Sequence, residues 1–448
     1  MLIKKTEEFA KIFLEKTKDK KLHLVSHYDT DGITSAVIFI KTLERMYKQF
    51  SLKIIKQLSD EEILALPKNK TIILLDLGSG SLEKLSRLDN EIFIIDHHEI
   101  DKGKIRGDIT LINPHILEEY ENLCCAELTY LISKAISEGN KDLAYLSIIG
   151  MVGDTMEKEI SKTRNKIIKE ANVTVKKGLL IYPSTRPLDK ALEYSSRPVI
   201  PGVVGDREGT FEFLKEAGIK KIGKTYKALI DLSDEEMKNL VTAVMLRISP
   251  NEKPSDYIGN LYLVKFFNKI EDARELSAVI NACSRMGHSG IALGLCLGNN
   301  NARKKAECLY VKYRQHIISG LKYIDKNEKI KGKEYIIINA KDKIKDTIIG
   351  TLASILSFSP VYEEGTIIIA MAYNRDKIKV STRIAGRNLK NRHNLKKIMD
   401  SVAYVLGGES GGHENAAGCT ISIEKERDFI ELIKKKFEFE IVKVNPKI

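Results

Sequence analysis

The sequence contains no tryptophan and only ten prolines. Its six cysteines (Cys124, Cys125, Cys283, Cys296, Cys308 and Cys419) include no Cys-x-x-Cys pair. That pattern excludes a disulfide framework and a cysteine-built zinc site, and the thiols are expected to be buried in a reducing compartment. No apolar run reaches the roughly 18 residues that a membrane span requires. The opening stretch, MLIKKTEEFAKIFLEK, reads as an amphipathic helix without the apolar core of a signal peptide. A cytoplasmic protein with no membrane association is therefore expected.

What is present describes an ordinary globular chain. A length of 448 residues, 43% hydrophobic and 30% charged, is enough for two to four domains. Lysine and arginine (73) exceed aspartate and glutamate (61), for a net charge of +12. The excess suits a polyanionic partner, but lysines scattered along the chain serve solubility equally well. An isoleucine- and lysine-rich composition without tryptophan suits an archaeal or AT-rich source.

The informative feature is a set of apolar segments that stop at acids. In EIFIIDHHEI, the run Ile92 to Ile95 is broken by Asp96, His97 and His98. In LHLVSHYDTDGITSAVIFIKTLERM, a strand at Leu22 to Val25 and a helix from Ile33 to Met46 are separated by His27, Asp29 and Asp31. Carboxylates at i and i+2 on an extended segment point the same way, and their repulsion is costly unless a cation lies between them. A helix N-cap would account for Asp31 alone. In TIILLDLGSGS the apolar run stops at Asp76, and the apolar, helical KDLAYLSIIGMVGDTM ends in Asp154. A doubly wound parallel sheet gathers such strand ends along one crevice. Each aspartate singly reads as a cap or turn residue. Together with the imidazoles they match the oxygen and nitrogen ligands of manganese or magnesium, in a number that suggests two ions about 3.5–4 Å apart.

HYDTDG, LLDLG, IIDHH and VGD stand in the order of the motifs of the DHH phosphoesterase superfamily, and the chain resembles its RecJ-like exonucleases. By that resemblance Asp29 and Asp76 hold one metal, and Asp31, Asp76, His97 and Asp154 the other. His98 lies beside the substrate phosphate and Asp96 orients the imidazoles. His27 is grouped with the metal ligands, although relatives place an aspartate there, and Val25 stands where small-substrate members carry a histidine. Asn113-Pro114 resembles an element that follows the DHH motif in RecJ relatives; an ordinary proline turn explains it equally well.

The proline- and glycine-rich stretch from Ile181 ends the first domain near residue 205. Residues 206–280 read as charged amphipathic helices with no catalytic cluster. NACSRMG resembles the stretch that closes the RecJ core, which places Arg285 on the nucleic-acid phosphate. A basic helical run follows. Strand signals return at EYIIINA, TIIIAMAY and KIKVSTRI, around a helical TIIGTLASILSF. Gly411, Gly412 and His413, followed by Ala416-Ala417-Gly418, resemble the phosphate-binding signature of the DHH-associated domain, and Arg383 matches its Ser-x-Arg element.

The expected fold is α/β: a parallel-sheet DHH catalytic domain (1–205), a helical insertion (206–280), a core-closing segment with a linking helix (281–325) and a smaller α/β DHH-associated domain (326–448). The resemblance implies an exonuclease using two Mn²⁺ or Mg²⁺ ions on single-stranded nucleic acid, in replication or repair, with a GINS-type replisome complex as partner. A phosphodiesterase for short oligonucleotides or cyclic dinucleotides is the alternative. A replisome scaffold without catalysis is a second, which the full set of acids argues against.

Overall fold

Alternation of side chains along extended backbone accounts for the central sheet. Its strands are β1 (Leu22–His27), β2 (Phe50–Ile55), β3 (Thr71–Leu75), β4 (Ile92–Ile95) and β5 (Ile109–Ile112). Leu22, Leu24, Ile73, Leu75, Phe93 and Ile95 turn to one face, against Phe9 and Phe13 of α1 (Leu2–Lys16) and Phe39 of α2 (Thr30–Arg45). Phe13 meets both Phe39 and Phe93 edge-on at 5.3 Å. The intervening Val25, Ile72, Leu74, Ile92 and Ile94 face a second cluster with Ile55, Ile63 and Leu82. The computed structural model describes residues 2–100, 109–117, 120–193, 195, 200–248, 254–359, 361–386 and 393–444, with side chains to residue 437.

All five strands are parallel, in the order β2-β1-β3-β4-β5. The winding reverses between β1 and β3, which is where an open α/β sheet offers a crevice at its carboxyl edge. Register then fixes what lies there. Ser26, Leu75, Ile95 and Ile112 form one cross-strand row. The residues that follow them stand side by side at this edge: His27 as the last residue of β1, and Asp76, Asp96 and Asn113 just beyond their strands.

The helix Ala144–Gly153 comes close to α2 through two glycines. A Cβ at Gly150 would lie 2.5 Å from Ala126 Cβ and 2.8 Å from Asp31 Oδ1, and one at Gly153 would lie 2.7 Å from Thr30 Cβ. That close packing delivers Asp154, the C-cap of this helix, to the carboxyl edge of the sheet.

Residues 206–280 are helical only in part, contrary to expectation. Arg207–Glu216 and Asp234–Arg247 are helices, but Ile258–Phe266 and Lys269–Asp272 are strands. They form an antiparallel three-stranded sheet with Thr174–Leu179, and Ile258–Phe266 is central. Isoleucine, tyrosine, valine and phenylalanine there favour a pleated surface, and the partners that realise this preference lie far apart in sequence. Leu179, Ile181, Phe213, Leu240 and Leu261 share its core.

By contacts the chain divides into Met1–Tyr310 and Val311–Ile448, a boundary inside the helix Asn300–Lys326. The second unit carries a six-stranded sheet in the order 330–331, 335–339, 367–374, 377–384, 416–422, 409–413. Ile337, Ile369, Val380, Met399 and Phe429 lie in its core. All six cysteines are free, and Cys308, in the long helix, is exposed, not buried as expected. Among the described residues no helix is long and apolar enough to cross a membrane.

Candidate metal centre

The two acids after β1 are held by two different helix starts. Asp29 is the N-cap of α2, its Oδ1 accepting the Gly32 N–H at 3.0 Å. A Cβ at Gly32 would lie 2.3 Å from the His27 carbonyl oxygen, so this turn requires glycine. Asp31, 0% exposed, accepts the backbone N–H groups of Cys125 (2.7 Å) and Ala126 (2.9 Å) at the start of the helix Cys125–Ile136. The pair therefore does not share the extended segment expected from the sequence. The cap is Asp29, and both acids converge because α2 begins between them.

Asp76 occupies the middle of the cluster. Its φ of 61° lies in the left-handed region, which aspartate and asparagine tolerate better than most residues. On one side Asp76 Oδ2 is 3.1 Å from His27 Nδ1, which is 3.0 Å from Asp29 Oδ2. On the other, Asp76 Oδ1 is 3.3 Å from His97 Nε2. That nitrogen is 3.1 Å from Asp154 Oδ2 and 3.8 Å from Asp31 Oδ2. His27, Asp29 and Asp76 form one group with all ligand atoms within 4.8 Å of one another, and Asp31, His97 and Asp154 form another.

Asp96 folds the turn after β4 around itself. Its buried carboxylate accepts the backbone N–H groups of Ser79 (2.9 Å), His97 (2.8 Å) and His98 (3.2 Å). Its Oδ1 is also 2.8 Å from His98 Nδ1. This fixes the His98 ring through one nitrogen on a side chain that is 45% exposed. Asn113, 0% exposed, completes the support: Nδ2 donates to Ser79 Oγ and to the His98 carbonyl, both at 2.9 Å, and Oδ1 accepts the His115 N–H at 2.9 Å. Asn-Pro is thus more than a turn here.

The cluster is short of positive charge. Burial pushes Asp31 well up from the usual carboxylate range, and the carboxylates of Asp154 and Asp76 push it further. Burial raises Asp154 as well. Burial alone would also raise Asp29 and Asp96, but His27 and His98 beside them hold both below that range. Burial alone would lower the three imidazoles, yet the surrounding aspartates prevail and raise His27, His97 and His98. Two carboxylates about 4 Å apart repel by about 4 kcal/mol at an effective dielectric constant of about 20. Asp76 Oδ1 and His97 Nε2 are buried and make no hydrogen bond. Orphaned ligand atoms among crowded carboxylates fit divalent cations with oxygen and nitrogen ligands. Cys125 Sγ is within reach of Asp31 and Asp76, but it donates to the Ile95 carbonyl at 3.1 Å, and burial pushes its pKa well up.

Three family models match the chain: the DHH family N-terminal domain over residues 21–151, the DHH-CID domain over 181–262 and the DHHA1 domain over 332–438. The chain belongs to the DHH superfamily of phosphoesterases. The uncharacterized protein MJ0831 of Methanocaldococcus jannaschii is 28% identical to this DHH protein over 446 residues, 96% of this chain and 97% of that one. RecJ from Thermus thermophilus, in complex with Mn²⁺, matches with a TM-score of 0.60 at 17% identity over 97% of this chain. This chain spans about half, 54%, of that RecJ. CDC45 from Entamoeba histolytica matches with a TM-score of 0.66 at 12% identity, covering 97% of this chain and 99% of that one. These likenesses show a RecJ-like fold.

The other residues singled out in the DHH protein fall into two places. Arg285, half-buried, ends the helix Ala273–Arg285. One turn earlier, Asn281 Oδ1 accepts the Thr30 N–H at 3.1 Å, and the Ser277 carbonyl accepts from Thr30 Oγ1 at 3.0 Å. This helix face therefore lies against the turn that carries Asp29 and Asp31. Arg383, Gly411, Gly412 and His413 belong to the second unit. Arg383 pairs with Ala416 across one strand boundary and His413 pairs with Ala416 across the next, so the two share a row. Arg383 Nε donates to Ser354 Oγ at 3.0 Å. A Cβ at Gly412, where φ is +126°, would lie 2.4 Å from the Ala416 carbonyl oxygen, which restricts the position to glycine. Sequence reasoning missed Gly150 and Ser79 altogether, and it met Asn281 only as the first residue of NACSRMG without a role, since nothing marks a lone small or polar residue as a neighbour of Asp31, Asp96 or Thr30.

Proposed function

We propose that this DHH protein is a metal-dependent exonuclease that hydrolyses phosphodiester bonds of single-stranded DNA or RNA with two divalent cations, manganese or magnesium. Asp29, Asp76 and His27 would hold one ion, and Asp31, Asp76, His97 and Asp154 the other. The single observation that carries this reading is Asp76, whose two carboxylate oxygens face two separate oxygen-and-nitrogen groups. Bound there, such ions supply Lewis acidity to the phosphoryl oxygens and an acidified water.

The chain's own residues supply position and charge. His98, fixed at Nδ1 by Asp96 and partly exposed, would use its other ring nitrogen to donate to a phosphate oxygen. Arg285 has the guanidinium geometry for bidentate phosphate contact and lies one helical turn beyond the Asn281–Thr30 bond. Arg383, Gly411, Gly412 and His413 are assigned to further substrate phosphates. The Mn²⁺ of the Thermus RecJ structure supports the choice of ion, and the likeness to CDC45 supports a replisome setting, with a GINS-type complex as the partner. A cytoplasmic role in replication or repair follows from that assignment.

The test uses single-stranded DNA and RNA of about 20 nucleotides, a matching duplex and a dinucleotide, each labelled at one end, with Mn²⁺. Stepwise loss of nucleotides from the single strands, ahead of the duplex, is expected. Cleavage confined to the dinucleotide would assign the protein to the small-substrate branch. No cleavage of any substrate would leave the scaffold reading.

A further inference from the structure

Arg164 lies outside every motif that marks the metal centre, yet it is 0% exposed and all five of its N–H donors are engaged. Nε donates to Glu127 Oε1 and Nη2 to Glu127 Oε2, each at 2.7 Å, a forked pair closed off from solvent. Nη2 also donates to the Asn122 carbonyl at 2.6 Å. Nη1 donates to the Met156 carbonyl at 2.9 Å and to the Glu159 carbonyl.

These partners lead to two metal ligands on separate elements. Glu127 Oε2 accepts the Cys124 N–H at 3.0 Å, closing the first turn of the helix Cys125–Ile136. The next two amides of that turn, from Cys125 and Ala126, are the donors to Asp31. Met156 and Glu159 follow Asp154 by two and five residues. Between Asp154 and Met156 stands Thr155 with a φ of 58°, a strained conformation for a β-branched residue that persists only where the surroundings impose it.

We infer that Arg164 is a positioning residue that sets Asp31 and Asp154 about a shared divalent cation, holding one through a helix start and the other through a strained turn. The inference rests on the metal-centre reading above. The guanidinium ties Glu127 to the Met156 and Glu159 carbonyls in one rigid fork, so Asp31 and Asp154 keep a fixed separation around His97. Lysine would keep the charge and lose the fork.

The test is Mn²⁺ binding to the full chain, followed by the electron paramagnetic resonance signal of free Mn²⁺. Wild type is compared with Arg164→Lys and with the double variant Glu127→Leu/Arg164→Met, which replaces the buried pair by apolar groups and is designed to keep the fold. Tyr130→Phe, further along the Glu127 helix, is the control. Both Arg164 variants are expected to bind Mn²⁺ about 10- to 100-fold more weakly. Nuclease kcat should fall at limiting Mn²⁺ and recover in excess, with KM for the oligonucleotide unchanged. Wild-type affinity in either folded variant would overturn the inference. So would unfolding of both while Tyr130→Phe stays folded, because that assigns Arg164 to general stability. Failure of the wild type itself to bind Mn²⁺ would refute the metal-centre reading instead.

Discussion

Asp76 Oδ1 and His97 Nε2 face each other across 3.3 Å, both buried and neither hydrogen-bonded. Such a pair is costly in a folded chain unless a further group joins both atoms. Asp76→Asn is the informative substitution, because asparagine accepts the left-handed backbone at φ 61° while surrendering the charge. The variant should stay folded and lose Mn²⁺ affinity by more than the ~100-fold typical of a supporting partner. Thermal melts give the check. Mn²⁺ at about a hundred times its dissociation constant should stabilise wild type by about 2.7 kcal/mol and leave Asp76→Asn almost unmoved.

Asn113→Ala separates support from ligation. It leaves the Ser79 hydroxyl and the His98 carbonyl without their buried donor. Urea unfolding should show a loss of about 1–3 kcal/mol. Mn²⁺ affinity should hold while kcat falls, since the group displaced is His98 and not a ligand. Equal losses in affinity and kcat would contradict the separate role of His98.

Two glycines make a matched pair. Gly150→Ala forces a methyl against Ala126, Thr34 and Asp31 and should destabilise the fold by about 1–3 kcal/mol, with weakened metal binding. Gly290→Ala, on a helix where a methyl meets nothing within 4 Å, should be neutral or stabilising by up to about 1 kcal/mol. Melting temperatures of the two variants test the contrast.

Much of this site is legible in the sequence because its residues interrupt apolar runs. Asp76 and Asp96 end β3 and β4, and Asp154 ends an apolar helix, so each stands out as a polar residue with no packing reason to be there. Arg164 and Gly150 do not stand out, because their importance lies in partners distant in sequence, as with Arg164 and Glu127. Asn113 is marked only by its motif resemblance, which does not show that it supports Ser79 and His98. The geometry of Asp29 and Asp31 is hidden for a related reason: the donors that aim Asp31 belong to Cys125 and Ala126. The strands at 258–272 are obscured by charge, since Lys265, Lys269 and Glu271 look like a helix surface until Thr174–Leu179 is set beside them.

Acid should loosen the support of the Cys125–Ile136 helix. Burial would raise the Glu170 carboxyl, but hydrogen bonds from Lys134 and Tyr130 prevail and hold it below its ordinary value of 4.5. A carboxyl lowered in the folded state contributes stability that is complete above the unfolded value and is lost as pH falls through the folded one. The melting-temperature advantage of wild type over Glu170→Gln should therefore be full at neutral pH and shrink below about 4.5. An advantage that grows on acidification would contradict the sign.

The most direct measurement is hydrolysis of an end-labelled single-stranded oligonucleotide by wild type and Asp76→Asn, each with Mn²⁺ and with chelator. Wild type with Mn²⁺ should release nucleotides; chelator and Asp76→Asn should each abolish the release. Hydrolysis that survives Asp76→Asn, or a folded, Mn²⁺-loaded wild type that cleaves nothing, would contradict a phosphodiesterase centred on Asp76.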